Sequence, residues 1–347
     1  MSSEGVSGLE RSSIPGRRRG ISLAGSATVR EKRLAPGQTL PIVFEAESGD
    51  VDLISWAVGQ KQKILDIVLE NGGILFRGFR LGGAAELERF IGCLAGDAID
   101  YTYRSTPRTN VGGKIYTSTE YPSDQSIPMH NEMSYTRRWP QKIWFYSLQV
   151  AATGGETPIA DSRKVLHDLD PAVRDRFEER GVMYARNYGG GVDLSWQNVF
   201  QTEDQGEVED YCRTHGIELT WLDGDRVRTR QVCQAVARHP RTGEDVWFNQ
   251  AHLFHVSSLD AATREVLVQD FGEEGLPRNA FYGDGTEIEM EALESIREAY
   301  RRNQVVFPWR TGDVLFLDNM LVAHGRRPFT GERKVVVGMA DPWPESA

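Results

Sequence analysis

Apolar residues along this chain recur at a helical period in some stretches and as short runs in others. Within residues 51–69, Leu53, Ile54, Ala57, Ile64, Leu65 and Val68 fall three or four apart, which predicts an amphipathic helix. Asn71-Gly72-Gly73 stops it, and Ile74-Leu75-Phe76 then predicts a short strand. A second amphipathic helix is predicted over 84–94. From about Ile143 onward strand signals dominate. Apolar runs mark 144–150, 181–184, 305–307, 314–317 and 335–338. Hairpins are predicted across 221–227, turning at Asp223-Gly224-Asp225, and across 236–248, turning at Arg241-Thr242-Gly243.

Helices interrupt these strands. Asp170 as N-cap with Pro171 at the first helical position opens one that runs to Arg180, with Gly181 past its end. Two more are predicted over 260–271 and 289–302. Many short strands at irregular spacing, with helices inserted and no βαβ rhythm, predict a mainly β fold with α insertions, a β-sandwich or jelly-roll core flanked by helices. A dinucleotide-binding fold is not expected, because no GxGxxG follows a strand and Gly189-Gly190-Gly191 falls in a loop.

Composition and charge narrow the function. The 347 residues carry a net charge of −10 with pI near 5.3, against the basic stripe that nucleic-acid binding needs. No apolar run approaches the roughly 18 residues of a membrane span. The first residues have no apolar h-region, so no secretory signal is expected. Three scattered cysteines, Cys93, Cys212 and Cys233, rule out a disulfide scaffold and point to the cytoplasm. Residues 1–35 hold seven basic and three acidic residues, a local +4 that leaves the rest near −14. Residues 1–38 are therefore expected to be a disordered basic tail, and 39–347 a single domain.

Seven histidines make candidate metal sites countable. In an extended segment, residues two apart share a face, so His130 and Glu132 of His130-Asn131-Glu132 could grip one ion. His324, after the run 312–319, is the natural distant third ligand. Two histidines and one carboxylate leave three open positions, the facial triad of non-haem Fe(II) oxygenases. Alone, the His-x-Glu pair reads more often as a surface histidine beside a solvated glutamate than as a pair of ligands. Nine residues beyond His324, Arg333 begins the next strand, and an arginine beside an iron site can hold a carboxylate by a two-pronged contact.

At this point the chain resembles the TauD/TfdA (taurine dioxygenase-like) family of Fe(II)/2-oxoglutarate dioxygenases over most of residues 70–343. The matching stretches are NGGILFRGF (71–79), IYTSTEYPSDQSIPMHNEMSY (115–135), GGETPIAD (154–161), WFNQAHLFH (247–255) and residues 312–333. HNEMSY, with glutamate where most of the family has aspartate, is similar to the syringomycin-type aspartyl β-hydroxylase branch, with clavaminate synthase a more distant relative. The resemblance implies a double-stranded β-helix core, His130, Glu132 and His324 as iron ligands, and Arg333 with Thr157 on the distal carboxylate of 2-oxoglutarate. It implies Fe(II), 2-oxoglutarate and O2 as cofactors, and succinate and CO2 as co-products. The family's halogenases replace the carboxylate ligand by glycine or alanine, so the retained Glu132 argues against halogenation.

The substrate expected from this branch is a small molecule: an amino acid or amino-acid derivative of natural-product biosynthesis, free or held on a carrier protein, hydroxylated at an unactivated C–H bond. Arg108 for its carboxylate, Glu120 for its amine, and Asn249 and Arg326 along the pocket are the candidate contacts. Sulfonate or aryloxyalkanoate breakdown is the rival substrate class, and desaturation or epoxidation the rival outcome. A catalytically idle jelly-roll binding protein is the rival class, while a zinc hydrolase would not need the Thr157–Arg333 clamp. His252 and His255 lack the glutamate of HExxH and read as core or pocket-lining residues. The loop 273–286 is the candidate lid, and the oligomeric state is left open.

Overall fold

The computed structural model describes residues 29–344 apart from 97, 101, 102, 104, 107 and 190. Its framework is an eight-stranded sheet in the order Val29–Arg33, Ile42–Ala46, Gly73–Arg77, Val314–Asp318, Trp139–Gln149, Lys334–Trp343, Ile115–Thr117, Asn110–Gly112. All neighbours run antiparallel except Ile42–Ala46 beside Gly73–Arg77. The central strands are buried on both faces, which is why they read as unbroken apolar runs. Val314 and Phe316 point with Phe44, Phe76 and Trp144 toward the helices Leu53–Asn71 and Gly83–Leu94. Leu315 and Leu317 point the other way, with Val43, Phe145 and Val337, onto Ile159, Val322 and Phe248. The first helix starts where Asp52 caps the Ser55 amide at 2.8 Å. A buried pair, Arg77 Nη2 to Asp313 Oδ2 at 2.6 Å, ties the sheet to the turn that precedes residue 314.

Facing the large sheet is a four-stranded antiparallel sheet, Gln304–Val305, Ile159–Asp161, Val322–Arg326 and Ile127–His130. A third antiparallel sheet, Glu218–Leu222, Arg226–Cys233, Val182–Tyr188 and Arg278–Tyr282, packs with the helices Pro171–Arg180, Gln205–His215 and Met290–Asn303 around a separate cluster that includes Phe177, Tyr184, Tyr282 and Leu293. The architecture is thus mainly β with helices packed outside.

Two expectations need correction. The basic arm ends earlier than residue 38: Val29–Arg33 is an edge strand paired along its length with Ile42–Ala46. Its charged side chains stay in solvent, with Lys63 paired to Glu31 at 2.8 Å, so it gains backbone hydrogen bonds without leaving an apolar pattern. Residues 1–28 of that expected tail lie outside the described residues. The supposed lid 273–286 contains the strand Arg278–Tyr282, paired with Val182–Tyr188 and carrying the fully buried Ala280 and Tyr282. A segment seated in a sheet cannot swing as a flap.

Candidate active site

The small sheet brings the two histidines together. His130 ends the strand Ile127–His130, His324 sits mid-strand in Val322–Arg326, and the two are direct partners in the antiparallel register. Their ring centroids lie 4.5 Å apart. Gly325 makes this approach possible: a Cβ there would fall 2.7 Å from the Ile127 carbonyl oxygen. Glu132 completes the group, and one ligand atom from each of the three residues lies within 4.8 Å of the others. His130 Nδ1 donates to the Pro128 carbonyl at 2.8 Å, which places the proton on Nδ1 and leaves the Nε2 lone pair free to ligate a metal. Desolvation pushes the His130 imidazole down, and burial pushes that of His324, 4% exposed against Phe145, well below the ordinary histidine value. Two neutral imidazoles and a carboxylate are the donor set a ferrous ion requires.

Glu132 reaches this position by a different route from the expected one. Of His130 and Glu132 only the histidine lies in a strand; Glu132 opens a turn whose next residue, Met133, has φ of 58°. A left-handed methionine costs on the order of 1–3 kcal/mol and persists only where its surroundings over-determine it. The turn is held by the Asn131 carbonyl, which accepts from Ser134 Oγ at 3.0 Å and Gln250 Nε2 at 2.9 Å.

Thr157 lies in, and Arg333 meets, the segment 155–159 that pairs with the His324 strand. Thr157, 3% exposed, belongs to the segment that runs into Ile159, the register partner of His324 on its second edge. Its oxygen accepts from Trp309 Nε1 at 3.0 Å, which leaves its hydroxyl proton to donate elsewhere. Arg333 donates to the Gly155 carbonyl at 2.9 Å and to Ser118 Oγ at 3.4 Å, both neutral acceptors. Burial pushes its guanidinium down to about 10, so it is a cation held at a cost that an anion would offset. Gly155 has φ of 74°, and a Cβ there would stand 2.9 Å from Arg333 Cδ, so the absent side chain is what gives the guanidinium its seat.

A cavity of about 910 Å³ opens onto His130 and Glu132, and Arg333 is not among the residues that line it. Arg108 lines it and places Nη2 2.6 Å from Glu132 Oε2, both side chains 3% exposed. Glu120 also lines it; hydrogen bonds from Thr109 and Thr117 lower its carboxyl, so it presents a negative charge. The helix Ala261–Phe271 forms one wall through Leu267, yet none of its own residues is buried. Asn249 does not reach the cavity: it is fully buried, donating to the Ala235 carbonyl and accepting from the Ala251 amide, while its neighbour Gln250 lines the wall. Arg326 is spent on three backbone carbonyls, those of Tyr121, Pro122 and Gln125, and so pins the loop that carries the cavity residues Thr119, Glu120, Tyr121, Gln125 and Ser126. His252 is buried with Nε2 on the Met129 carbonyl at 2.9 Å, and His255 caps Ser257, so both are structural.

Comparison with known proteins decides the family. The family model described as Taurine catabolism dioxygenase TauD, TfdA family matches residues 32–339. The chain belongs to the TauD/TfdA dioxygenase family. As a TauD/TfdA member it is an Fe(II)- and 2-oxoglutarate-dependent dioxygenase, and the donor set and partly buried cation described above suit those cofactors. It is 45% identical over 277 residues to the dapdiamide synthesis protein DdaC of Enterobacter agglomerans, covering 80% of this chain and 84% of that one. It is 31% identical over 291 residues to a clavaminate synthase-like protein of Arabidopsis thaliana, with 81% and 84% covered. PvcB of Pseudomonas aeruginosa superposes with a TM-score of 0.52 at 15% identity, covering 90% of each chain, and so shares the fold.

Gln250 lines the cavity as the sequence suggested beside Asn249; sequence reasoning missed its hydrogen bond to the Asn131 carbonyl, the Arg108–Glu132 contact and the role of Asn319. The polar pair Asp318-Asn319 at a strand end was the available signal for the last. Among the described residues no helix is long and apolar enough to cross a membrane.

Proposed function

We propose that this TauD/TfdA enzyme hydroxylates an unactivated C–H bond of an amino acid or amino-acid-derived small molecule in natural-product biosynthesis, on a double-stranded β-helix core and in the cytoplasm. The observation that carries this reading is the cavity that opens on His130 and Glu132 and carries charges of both signs, Arg108 and Glu120, the pair an amino acid's carboxylate and ammonium would need. The 45% identity to a dapdiamide synthesis protein supports the metabolic setting. Three free cysteines fit a reducing compartment.

In this reading His130, Glu132 and His324 hold the iron, and Arg333 with the Thr157 hydroxyl holds the distal carboxylate of 2-oxoglutarate. Bound iron and 2-oxoglutarate supply, with O2, an oxidant strong enough to hydroxylate a C–H bond while 2-oxoglutarate becomes succinate and CO2. The protein's part is placement. Arg108 steadies the Glu132 carboxylate and meets the substrate's carboxylate at the cavity wall; Glu120 takes its amine. Phe254, Leu253 and Leu267 keep the reacting end apolar and exclude water. A volume of about 910 Å³ lies in the range of about 300–1,000 Å³ that suits larger ligands, which leaves room for an amino acid joined to an acyl group or a carrier arm.

The test is to supply the iron-loaded enzyme with 2-oxoglutarate, O2 and a panel of amino acids, each free and as a carrier-protein thioester. The expected result is succinate release stimulated by one member, with a product heavier by one oxygen. Stimulation by sulfonates or aryloxyalkanoates alone would overturn the substrate class, and a product lighter by two hydrogens would replace hydroxylation by desaturation.

A further inference from the structure

We infer that Asn319 is the positioning residue that aims the Glu132 carboxylate at the metal, an inference that rests on the iron reading of the triad. The β-ladder of the small sheet pairs His130 with His324 and does not extend to Glu132. Asn319, fully buried, takes over where the ladder stops. Its side-chain oxygen accepts from the Glu132 amide at 2.7 Å, and its side-chain nitrogen donates to the Glu132 carbonyl at 2.9 Å and to the Pro140 carbonyl at 2.8 Å. The two peptide groups on either side of the Glu132 Cα are thus held by one amide. With both fixed, the φ and ψ of Glu132 cannot turn, and the direction of its Cα–Cβ bond is set.

The clamp is itself anchored. The Asn319 amide donates to the Gln141 carbonyl at 2.8 Å, and its carbonyl accepts from Asn131 Nδ2 at 2.7 Å. Asp318 beside it accepts from the Met320 and Leu321 amides and, on its other oxygen, from His239 at 3.1 Å. His239 Nδ1 accepts from the Arg241 and Thr242 amides, so its proton sits on Nε2 and its ring has no free lone pair for chemistry. This turn leads into the strand that carries His324, so one short segment sets two of the three ligands.

The experiment titrates apoprotein anaerobically with Co(II), following the visible d–d absorption, for wild type, Asn319→Ala, Asn319→Asp and a control, Phe90→Leu, in the core between helix and large sheet. Asn319→Asp keeps the shape and the acceptor but loses both donations. The expected result is Co(II) affinity about 10–100-fold weaker in both Asn319 variants, with an altered band at saturation, as for other groups that orient a metal ligand. Phe90→Leu should lower the apoprotein Tm at least as much and bind Co(II) as wild type does. Should Asn319→Ala fail to fold, Asn319→Asp carries the comparison. Unchanged affinity and band in the Asn319 variants, or a loss in Phe90→Leu that tracks its Tm, overturns the inference. Failure of wild type to bind Co(II) would instead overturn the iron reading beneath it.

Discussion

Replacing Arg333 by methionine removes the guanidinium and keeps much of its apolar stem. In the proposed complex this strands the distal carboxylate of 2-oxoglutarate in a partly buried seat with the Thr157 hydroxyl as its remaining partner. Truncating one member of a buried, hydrogen-bonded charge pair costs about 2–5 kcal/mol. At about 1.4 kcal/mol per decade this is roughly a 30- to 4,000-fold weaker affinity. The assay is an anaerobic titration of the iron-loaded protein with 2-oxoglutarate, following the visible charge-transfer band of the chelate. Because the histidines and Glu132 are untouched, the band should reach its wild-type amplitude at saturation, only at far higher concentration. Arg333→Lys should fall between, since an ammonium cannot make the two-pronged contact. The apoprotein supplies a second reading. Burial already holds this guanidinium down at about 10, so the folded state at pH 7 carries a charge it disfavours. Removing it relieves that cost and loses the hydrogen bonds to Gly155 and Ser118, so the apo variant should unfold within a few degrees of wild type. A shift in 2-oxoglutarate affinity of less than about fivefold would refute the clamp.

Gly155→Ala should weaken 2-oxoglutarate without touching iron, because its methyl would stand 2.9 Å from Arg333 Cδ on a backbone with φ of 74°; parallel titrations with Co(II) and 2-oxoglutarate separate the two. Burial pushes the imidazoles of His130 and His324 below the usual value of about 6.5. Protons therefore compete with the metal later than at a free imidazole, and Co(II) affinity should begin to fall only at a pH below about 6.5. The unfolded chain takes up those protons first, so the apoprotein should lose stability as pH falls below about 6.5, which denaturant melts across that range will check. Asp313→Ala leaves Arg77 buried without its carboxylate and should cost about 3–5 kcal/mol by denaturant unfolding, while the double variant Arg77→Met, Asp313→Leu should recover most of it.

What could be read from the chain depended on whether a residue's partner lay in a pattern. The helices over 53–71 and 83–94 and the runs at 314–317 and 335–338 were legible because burial leaves a period or a run. Val322–Arg326 was not read as a strand, since its buried residues include a histidine, a glycine and an arginine serving the site rather than the core. The helix Gln205–His215 buries only Val208 and Cys212, too few positions for a stripe. His130 and His324 were legible as a pair of candidate ligands, yet the route of Glu132 to them was not. It depends on a left-handed Met133 and on an asparagine 187 positions away in sequence. Arg326 illustrates the opposite failure: its chemistry suited a substrate contact, but in the fold three backbone carbonyls are already in its grasp.

The wall formed by Ala261–Phe271 has a bearing on how such an enzyme can diversify. Leu267 faces the cavity, but the helix buries no residue of its own and is held by its Asp260 cap and its flanks. Side chains there can be exchanged with little penalty to the folded state, since surface substitutions typically move stability by no more than about 0.5 kcal/mol. The opposite wall, bearing Arg108 against Glu132, has no such latitude. Lineages descending from this fold can recut the cavity for new substrates from one side, drifting along an almost neutral path while the iron-bearing side stays as it is.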